Sequence, residues 1–317
     1  MSEGGGLRLV FMGTSAFAVP SLKALAEGGH QVVLVVTQPD RPSGRGRNVV
    51  VEPPVKMLAV ELGLPVFQPE RIRDEFAVDK IRSLAPLDAI VVAAFGQIVP
   101  QDILDIPRIG CVNVHGSLLP KYRGAAPIQR AIMAGETRTG VTTMLMDAGI
   151  DTGCILLQRE VEIGDTETAG ELEIRLADVG AGLLLETLRL MSVGEIKPAK
   201  QDDSQASYAK SIKREEGRID WRKSGRDIVN LIRAFSPKPG AFTVFRGREV
   251  KVWRAAVLDE SSSGEPGEIV EICGQNIKVS AGDCALAVLD VQPEGRKKMS
   301  GGDFARGFRI SAGEKFQ

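Results

Sequence analysis

Short apolar runs alternate with amphipathic stretches through the first two hundred positions of the chain, a rhythm that predicts strands and helices in turn. Leu7 to Met12 reads as a buried strand. Pro20 to Ala26 follows with helical spacing, Pro near its first turn and Gly28-Gly29 to stop it. Gln31 to Thr37, Asp88 to Ala94 and Cys111 to His115 are further strand candidates, and Pro54 to Leu62 is a second helix. Such alternation predicts an α/β fold, a Rossmann-like parallel sheet wrapped by helices, with ligands at the carboxyl ends of the strands. The loops expected to carry function therefore follow the strands, at 13–17, 37–49, 95–100 and 116–127.

Glu171 to Met191 reads as a long helix despite Gly180 and Gly182, and it closes this unit. The next stretch, Gly194 to Ser207, is polar and helix-poor, centred on Gln201-Asp202-Asp203-Ser204-Gln205, and has the composition of a linker. Beyond it a helix candidate at Arg226 to Phe235 precedes five short strands: Phe242 to Phe245, Val250 to Val257, Glu268 to Ile272, Ile277 to Val279 and Leu286 to Val291. Strands of this length separated by turn residues predict a small OB-like β-barrel. The expected division is 1–194, a linker at 195–208, and 209–317.

Composition adds a class and a compartment. At 317 residues the chain is long enough for two cores. Its most apolar segments, such as Ala89 to Phe95, fall far short of the ~20 residues of a bilayer span, so a cytoplasmic protein without membrane contact is expected. A monomer is expected as well. Cys111, Cys154, Cys273 and Cys284 are scattered, with no C-x-x-C and no histidine at ligand spacing. They are expected as small core or near-core residues, with neither disulfide nor metal. Net charge is −1, but unevenly spread: residues 209–317 hold 20 Lys plus Arg against 15 Asp plus Glu, and the first 208 hold 20 against 26. A basic last third suits a polyanion.

The chemistry concentrates in Gly110 to Pro127, G-C-V-N-V-H-G-S-L-L-P-K-Y-R-G-A-A-P. Asn113 and His115 are two apart on a strand that ends at Gly116, so both side chains emerge on one face where the strand stops. An amide that can hold an oxyanion beside an imidazole that can manage a proton is what transfer of an acyl or formyl group needs. His30, the only other histidine, lies in Gly28-Gly29-His30-Gln31 and reads as turn chemistry. Met146 to Gly153 holds Asp147 and Asp151 among glycines. Asp151 is the better orienter for the imidazole, with Asp147 holding the loop. Cys111 shares the parity of Asn113 and His115, so direction alone leaves a nucleophilic role open. Gly13-Thr14-Ser15 lacks the glycines of a dinucleotide fingerprint, because Ala16, Phe17 and Ala18 follow. Thr37 to Arg47 gathers three arginines in a loop with almost no apolar anchor, expected to be mobile and to meet phosphate.

N-V-H-G-S-L-L-P-K-Y-R-G-A-A-P-I followed by M-D-A-G-I-D-T-G resembles the signature of the folate-dependent formyltransferases, and T-Q-P-D-R-P-S-G-R-G resembles the loop of their tRNA-acting branch. The likeness continues through Tyr208-Ala209, Glu215 to Trp221, Ile232 to Pro237, Val250 to Trp253, Gln292 to Gly295 and Met299-Ser300, nearly the whole chain. Ser15 departs from it, standing where the family usually has proline. The resemblance implies 10-formyltetrahydrofolate as donor and the α-amino group of methionine on initiator tRNA as acceptor. It implies Asn113, His115 and Asp151 as the catalytic trio. Phe95, Gly96, Gln97, Ile98, Ser117, Leu118, Leu119 and Pro120 are implied as folate contacts, and Arg41, Arg45 and Arg47 as tRNA contacts. Two rivals stay open. A formyltransferase acting on a purine precursor or nucleotide sugar would keep the trio without needing the arginine loop and a basic barrel. A non-enzymatic RNA-binding module would leave the trio without purpose.

Overall fold

A computed structural model describes residues 6–43, 49–258, 261 and 264–317. The chain divides into two compact units, one of Met1–Pro127, Arg138–Glu162 and Glu173–Lys210, the other of Ile128–Thr137, Ile163–Leu172 and Ser211–Gln317.

In chain order the first strands are β1 (Arg8–Gly13), β2 (Gln31–Val36), the short antiparallel pair β3 (Arg41–Ser43) and β4 (Val49–Val51), β5 (Val66–Phe67), β6 (Ala89–Ala93), β7 (Gly110–His115), β8 (Arg138–Leu145) and β9 (Ile155–Glu162). Helices α1 (Val19–Glu27), α2 (Pro54–Glu61), α3 (Glu75–Arg82), α4 (Gln101–Leu104), α5 (Pro127–Met133) and α6 (Ala169–Ser192) intervene. The main sheet has the order β5-β2-β1-β6-β7-β8-β9. From β5 to β7 the strands run parallel, and every residue of the central β6 is buried, as a strand covered on both faces requires. The expected parallel sheet is thus mixed: β8 and β9 run antiparallel at its edge. β9 shows why, since Gln158, Arg159 and Glu160 are exposed, which an antiparallel edge tolerates. Gly180 explains the glycine inside α6, because a Cβ there would stand 2.9 Å from Val114 Cγ1 of β7. A core around Val10, Met12, Ile81, Ile90, Ile103 and Cys111 fills one side of the sheet.

The second unit holds α7 (Gly225–Phe235), β10 (Ala241–Phe245), β11 (Arg248–Val257), β12 (Ile269–Cys273), β13 (Asn276–Ser280), β14 (Ala285–Pro293), β15 (Met299–Ser300) and α8 (Gly301–Phe308). Its antiparallel sheet has the order β10-β11-β14-β13-β12, with β15 on β14. The chain end closes it. Gly313, Glu314 and Phe316 exchange backbone hydrogen bonds with Gly267 and with Ile269, the first residue of β12, and Gln317 does so with Val244 of β10. Phe316 stacks on Trp221, ring centres 5.4 Å apart, so the closure is also a core. No helix among the described residues is long and apolar enough to cross a membrane.

Candidate active site

β7 lies between β6 and β8, with Asn113 opposite Val92 and Met144, and His115 opposite Thr142. The alternation of the strand sends both side chains to one face, where both are buried. Asp151, on the loop between β8 and β9, reaches the same place. Its Oδ2 stands 3.6 Å from His115 Nδ1, and its Oδ1 accepts from Asn113 Nδ2 at 3.4 Å. The other ring nitrogen, Nε2, is 3.0 Å from the Tyr122 carbonyl. A carbonyl can only accept, so Nε2 carries a proton, and Nδ1 is the nitrogen that faces the carboxylate. Tyr122 turns its carbonyl inward by adopting φ +62°.

The loop around Asp151 is held tightly. Asp151 Oδ2 accepts the Gly124 N–H at 2.8 Å, and its own backbone has φ +54°. Asp147 holds the preceding turn, its Oδ1 accepting from Gly149 N and Thr152 Oγ1 at 3.0 and 2.6 Å. Gln201 Nε2 donates to the carbonyls of Asp151 and Gly153.

Two further segments emerge beside this cluster, because β6 and β7 are neighbours running the same way. After β6, the Phe95 carbonyl accepts from Thr14 Oγ1 at 2.8 Å and from Gln38 Nε2 at 3.1 Å. Gly96 follows with φ +81°, its missing Cβ leaving room for the Gln38 amide. Gln97 Oε1 accepts from Ile72 N at 2.7 Å, and Ile98 is 74% exposed, an apolar surface turned outward. After β7, Ser117 Oγ donates to the Lys121 carbonyl, and Leu119 N donates to Thr142 Oγ1. Gln158 Nε2 donates to the Leu119 carbonyl at 2.8 Å. Leu118 lies against Gly140, where a Cβ would strike it, and Pro120 accepts from Ser207 N. The two segments thus combine a fixed backbone with one exposed apolar side chain, a setting suited to a flat ring bearing polar edges.

Cys111 lies in the core, its Sγ 3.9 Å from the carbonyls of Ile103 and Leu104, and burial pushes its thiol up to about 12. A thiol held protonated is a poor nucleophile. Cys273 departs from the expected core placement and is exposed. His30 Nδ1 accepts the Leu7 N–H at 3.2 Å, a structural bond, and burial lowers its pKa. Arg41 is exposed, 3.8 Å from Glu70 Oε2. Arg45 and Arg47 lie outside the described residues. The residues that sequence reasoning missed are Tyr122, Gly124 and Gln201. Tyr122 and Gly124 stand inside the informative Gly110 to Pro127 run, whereas Gln201 carries no local signal at all.

Two family profiles match the chain, the one described as formyl transferase over residues 7–188 and the one described as formyl transferase, C-terminal domain, over 211–309. A methionyl-tRNA formyltransferase from Geobacter sulfurreducens is 49% identical over 98% of this chain and 96% of that protein. One from Bacillus licheniformis is 48% identical over 97% of each. Among solved structures, an N-formyltransferase from Helicobacter canadensis in complex with folinic acid and dTDP-3-aminofucose superposes with a TM-score of 0.67 at 21% identity, over 90% of this chain and 99% of that one. HypX from Aquifex aeolicus in complex with tetrahydrofolic acid does so with a TM-score of 0.67 at 17% identity, over 98% of this chain and 49% of that chain.

Proposed function

The chain belongs to the formyl transferase family, and we propose that it transfers the formyl group of 10-formyltetrahydrofolate to the α-amino group of methionine on initiator tRNA. The observation that carries the choice of acceptor is the 49% identity to a methionyl-tRNA formyltransferase along nearly the full length of both proteins. Sugar-modifying relatives share the fold at 21% identity, which says nothing of substrate. The catalytic part spans 1–194, residues 195–208 connect, and 209–317 bind the tRNA. The protein acts in the cytoplasm as a monomer.

Asn113, His115 and Asp151 are the catalytic residues in this proposal. As the neutral amine attacks the formyl carbon, negative charge gathers on the formyl oxygen. Asn113 Nδ2 has only a 3.4 Å hydrogen bond to Asp151, so its amide can turn to that oxygen at small cost. His115 supplies a second donor or a proton: its Nε2 is held by the Tyr122 carbonyl at 3.0 Å, while Nδ1 stands 3.6 Å from Asp151 Oδ2, beyond hydrogen-bond length, and is the nitrogen left to meet the reacting groups. Asp151 fixes the ring and balances its charge. A water can carry the amine proton to the leaving folate nitrogen. Phe95 to Ile98 and Ser117 to Pro120 hold the donor, and Arg41, Arg45 and Arg47 meet the acceptor stem.

The test is transfer of labelled formyl from 10-formyltetrahydrofolate to charged initiator tRNA by the purified protein. Labelled formylmethionyl-tRNA is the expected product. Labelling of a nucleotide sugar or purine precursor in its place, with none on tRNA, would refute the proposal.

A further inference from the structure

Gln201 stands in the polar stretch that connects the catalytic part to the rest, yet it is buried. Its side chain is saturated at both ends. Nε2 donates to the carbonyls of Asp151 at 2.8 Å and Gly153 at 2.7 Å, while Oε1 accepts from Arg123 Nε at 3.0 Å and Nη2 at 2.8 Å. A carboxamide has two N–H groups and one carbonyl, so every polar group of this one is engaged.

The two carbonyls belong to the turn that presents the Asp151 carboxylate. At φ +54° Asp151 sits where a side-chain-bearing residue persists only if its surroundings fix it. Gly153 cannot be replaced there, since a Cβ would run into the Leu145 carbonyl. The other end of the amide is equally fixed. Arg123 is 2% exposed, donates to Asp203 Oδ1 at 2.8 Å as well, and precedes Gly124, whose N–H meets Asp151 Oδ2. A closed circuit therefore runs from the Asp151 backbone through Gln201 and Arg123 to Gly124 and back to the Asp151 carboxylate. Such circuits strengthen each bond they contain and fix one geometry.

We infer that Gln201 is a positioning residue: it clamps the backbone that carries Asp151 to the 122–124 turn and thereby sets the carboxylate against His115. This rests on Asp151 taking part in the chemistry. A buried amide with no such role would affect stability without regard to whether the Asp151 carboxylate is present.

Gln201→Glu separates these cases in the full-length protein, because it keeps acceptor oxygens for Arg123 and removes both donors. Misplacement of a catalytic group by about 1 Å costs ~10²-fold in rate, so kcat for formylation of charged tRNA is expected to fall by about that factor. KM for donor and acceptor is expected to hold. In an Asp151→Asn background the same substitution should cost nothing further, since a residue that acts through another loses its effect once that one is gone. Gln201→Met, similar in length and uncharged, gives a second measurement where the glutamate disturbs folding, checked by circular dichroism. Unchanged kcat in the folded variants, or an equal loss with and without the Asp151 carboxylate, would overturn the inference. So would loss of folding in both, which would make Gln201 a residue of the fold itself. Full activity of Asp151→Asn alone is a separate failure: it removes Asp151 from the chemistry, and the role of Gln201 with it.

Discussion

His115 is buried with an acceptor facing each ring nitrogen, the Tyr122 carbonyl and the Asp151 carboxylate, so its orientation depends on those two neighbours. General acid–base groups contribute ~10²–10⁴-fold, and His115→Ala and Asp151→Asn are each expected to lower kcat on charged tRNA by that order. On the proposed mechanism the double variant should lose little more than either alone, as residues that act as a unit do. Activity within a few-fold of the parent in either folded variant would remove that residue from the assignment. If its amide serves the developing oxyanion as proposed, Asn113→Ala is expected to cost ~10²–10³-fold in kcat with folate affinity nearly kept. A folate affinity that fell while kcat held would make Asn113 a pocket wall. Cys111 gives the contrasting case. Its folded thiol ionises near 12 and its unfolded thiol near 9.0, so between those values the unfolded chain releases a proton that the folded one keeps. The stability it contributes is present below pH 9.0 and is lost as pH rises towards 12. Cys111→Ala should retain kcat while flattening that alkaline decline, as followed by urea unfolding across the pH range. The placement of Asn113 and His115 was legible from strand parity alone. Gln201 was not, because a lone amide in a polar stretch has no pattern until the chain folds back upon it.

At the scale of elements, what was legible tracks how each element buries itself. β1, β2, β6 and β7 are nearly continuous apolar runs and read as strands at once. β8 and β9 escaped because one is rich in threonine around Gly140 and the other exposes charges on an edge, so neither shows an unbroken apolar signal. Helix α8 was hidden by its glycines. Gly301 and Gly302 are weak helix formers, but a Cβ on either would strike the carbonyls of Val288 and Gly274. Close packing, with Phe304 fully buried, overrides the propensity. The pairing of the chain end was likewise unreadable, since its backbone partners at 244 and 267–269 are far away in sequence. Phe316 should therefore matter out of proportion to its position. It is buried against Trp221, Phe245 and Phe304, and Phe316→Ala is expected to cost ~3–5 kcal/mol in denaturant unfolding. A loss below ~0.5 kcal/mol, the range of an ordinary surface change, would mean that the tail does not close the sheet.

At the scale of the whole molecule, connectivity decides how the tRNA partner can be tested. The second unit draws in residues 128–137 and 163–172, and both stretches are tied to its later part. Arg130 Nη1 meets Glu216 Oε2 at 2.8 Å, Arg233 Nη2 and Nε donate to the carbonyls of Gly164 and Glu167, and Gly170 N donates to the Ser236 carbonyl. Cutting the chain near residue 194 would strand these groups and remove Gln201 as well, so truncation confounds folding with binding. Substituting charge in the intact chain avoids that. Arg296 and Lys297 are exposed in the turn between β14 and β15, within the last third of the sequence, which carries excess positive charge. Each phosphate a protein neutralises contributes ~0.7–0.9 to the slope of log affinity against log salt. If this turn meets the phosphate backbone of tRNA, replacing both residues with glutamine should weaken tRNA binding and flatten that slope by ~1–2. Folate affinity and kcat at saturating tRNA should not change, because neither residue belongs to the cluster at β7. Titrations of charged initiator tRNA over a salt series read the slope directly. A slope equal to that of the parent would exclude the turn from the RNA path, and a fall in kcat at saturation would show that the substitutions act on the chemistry and not on encounter.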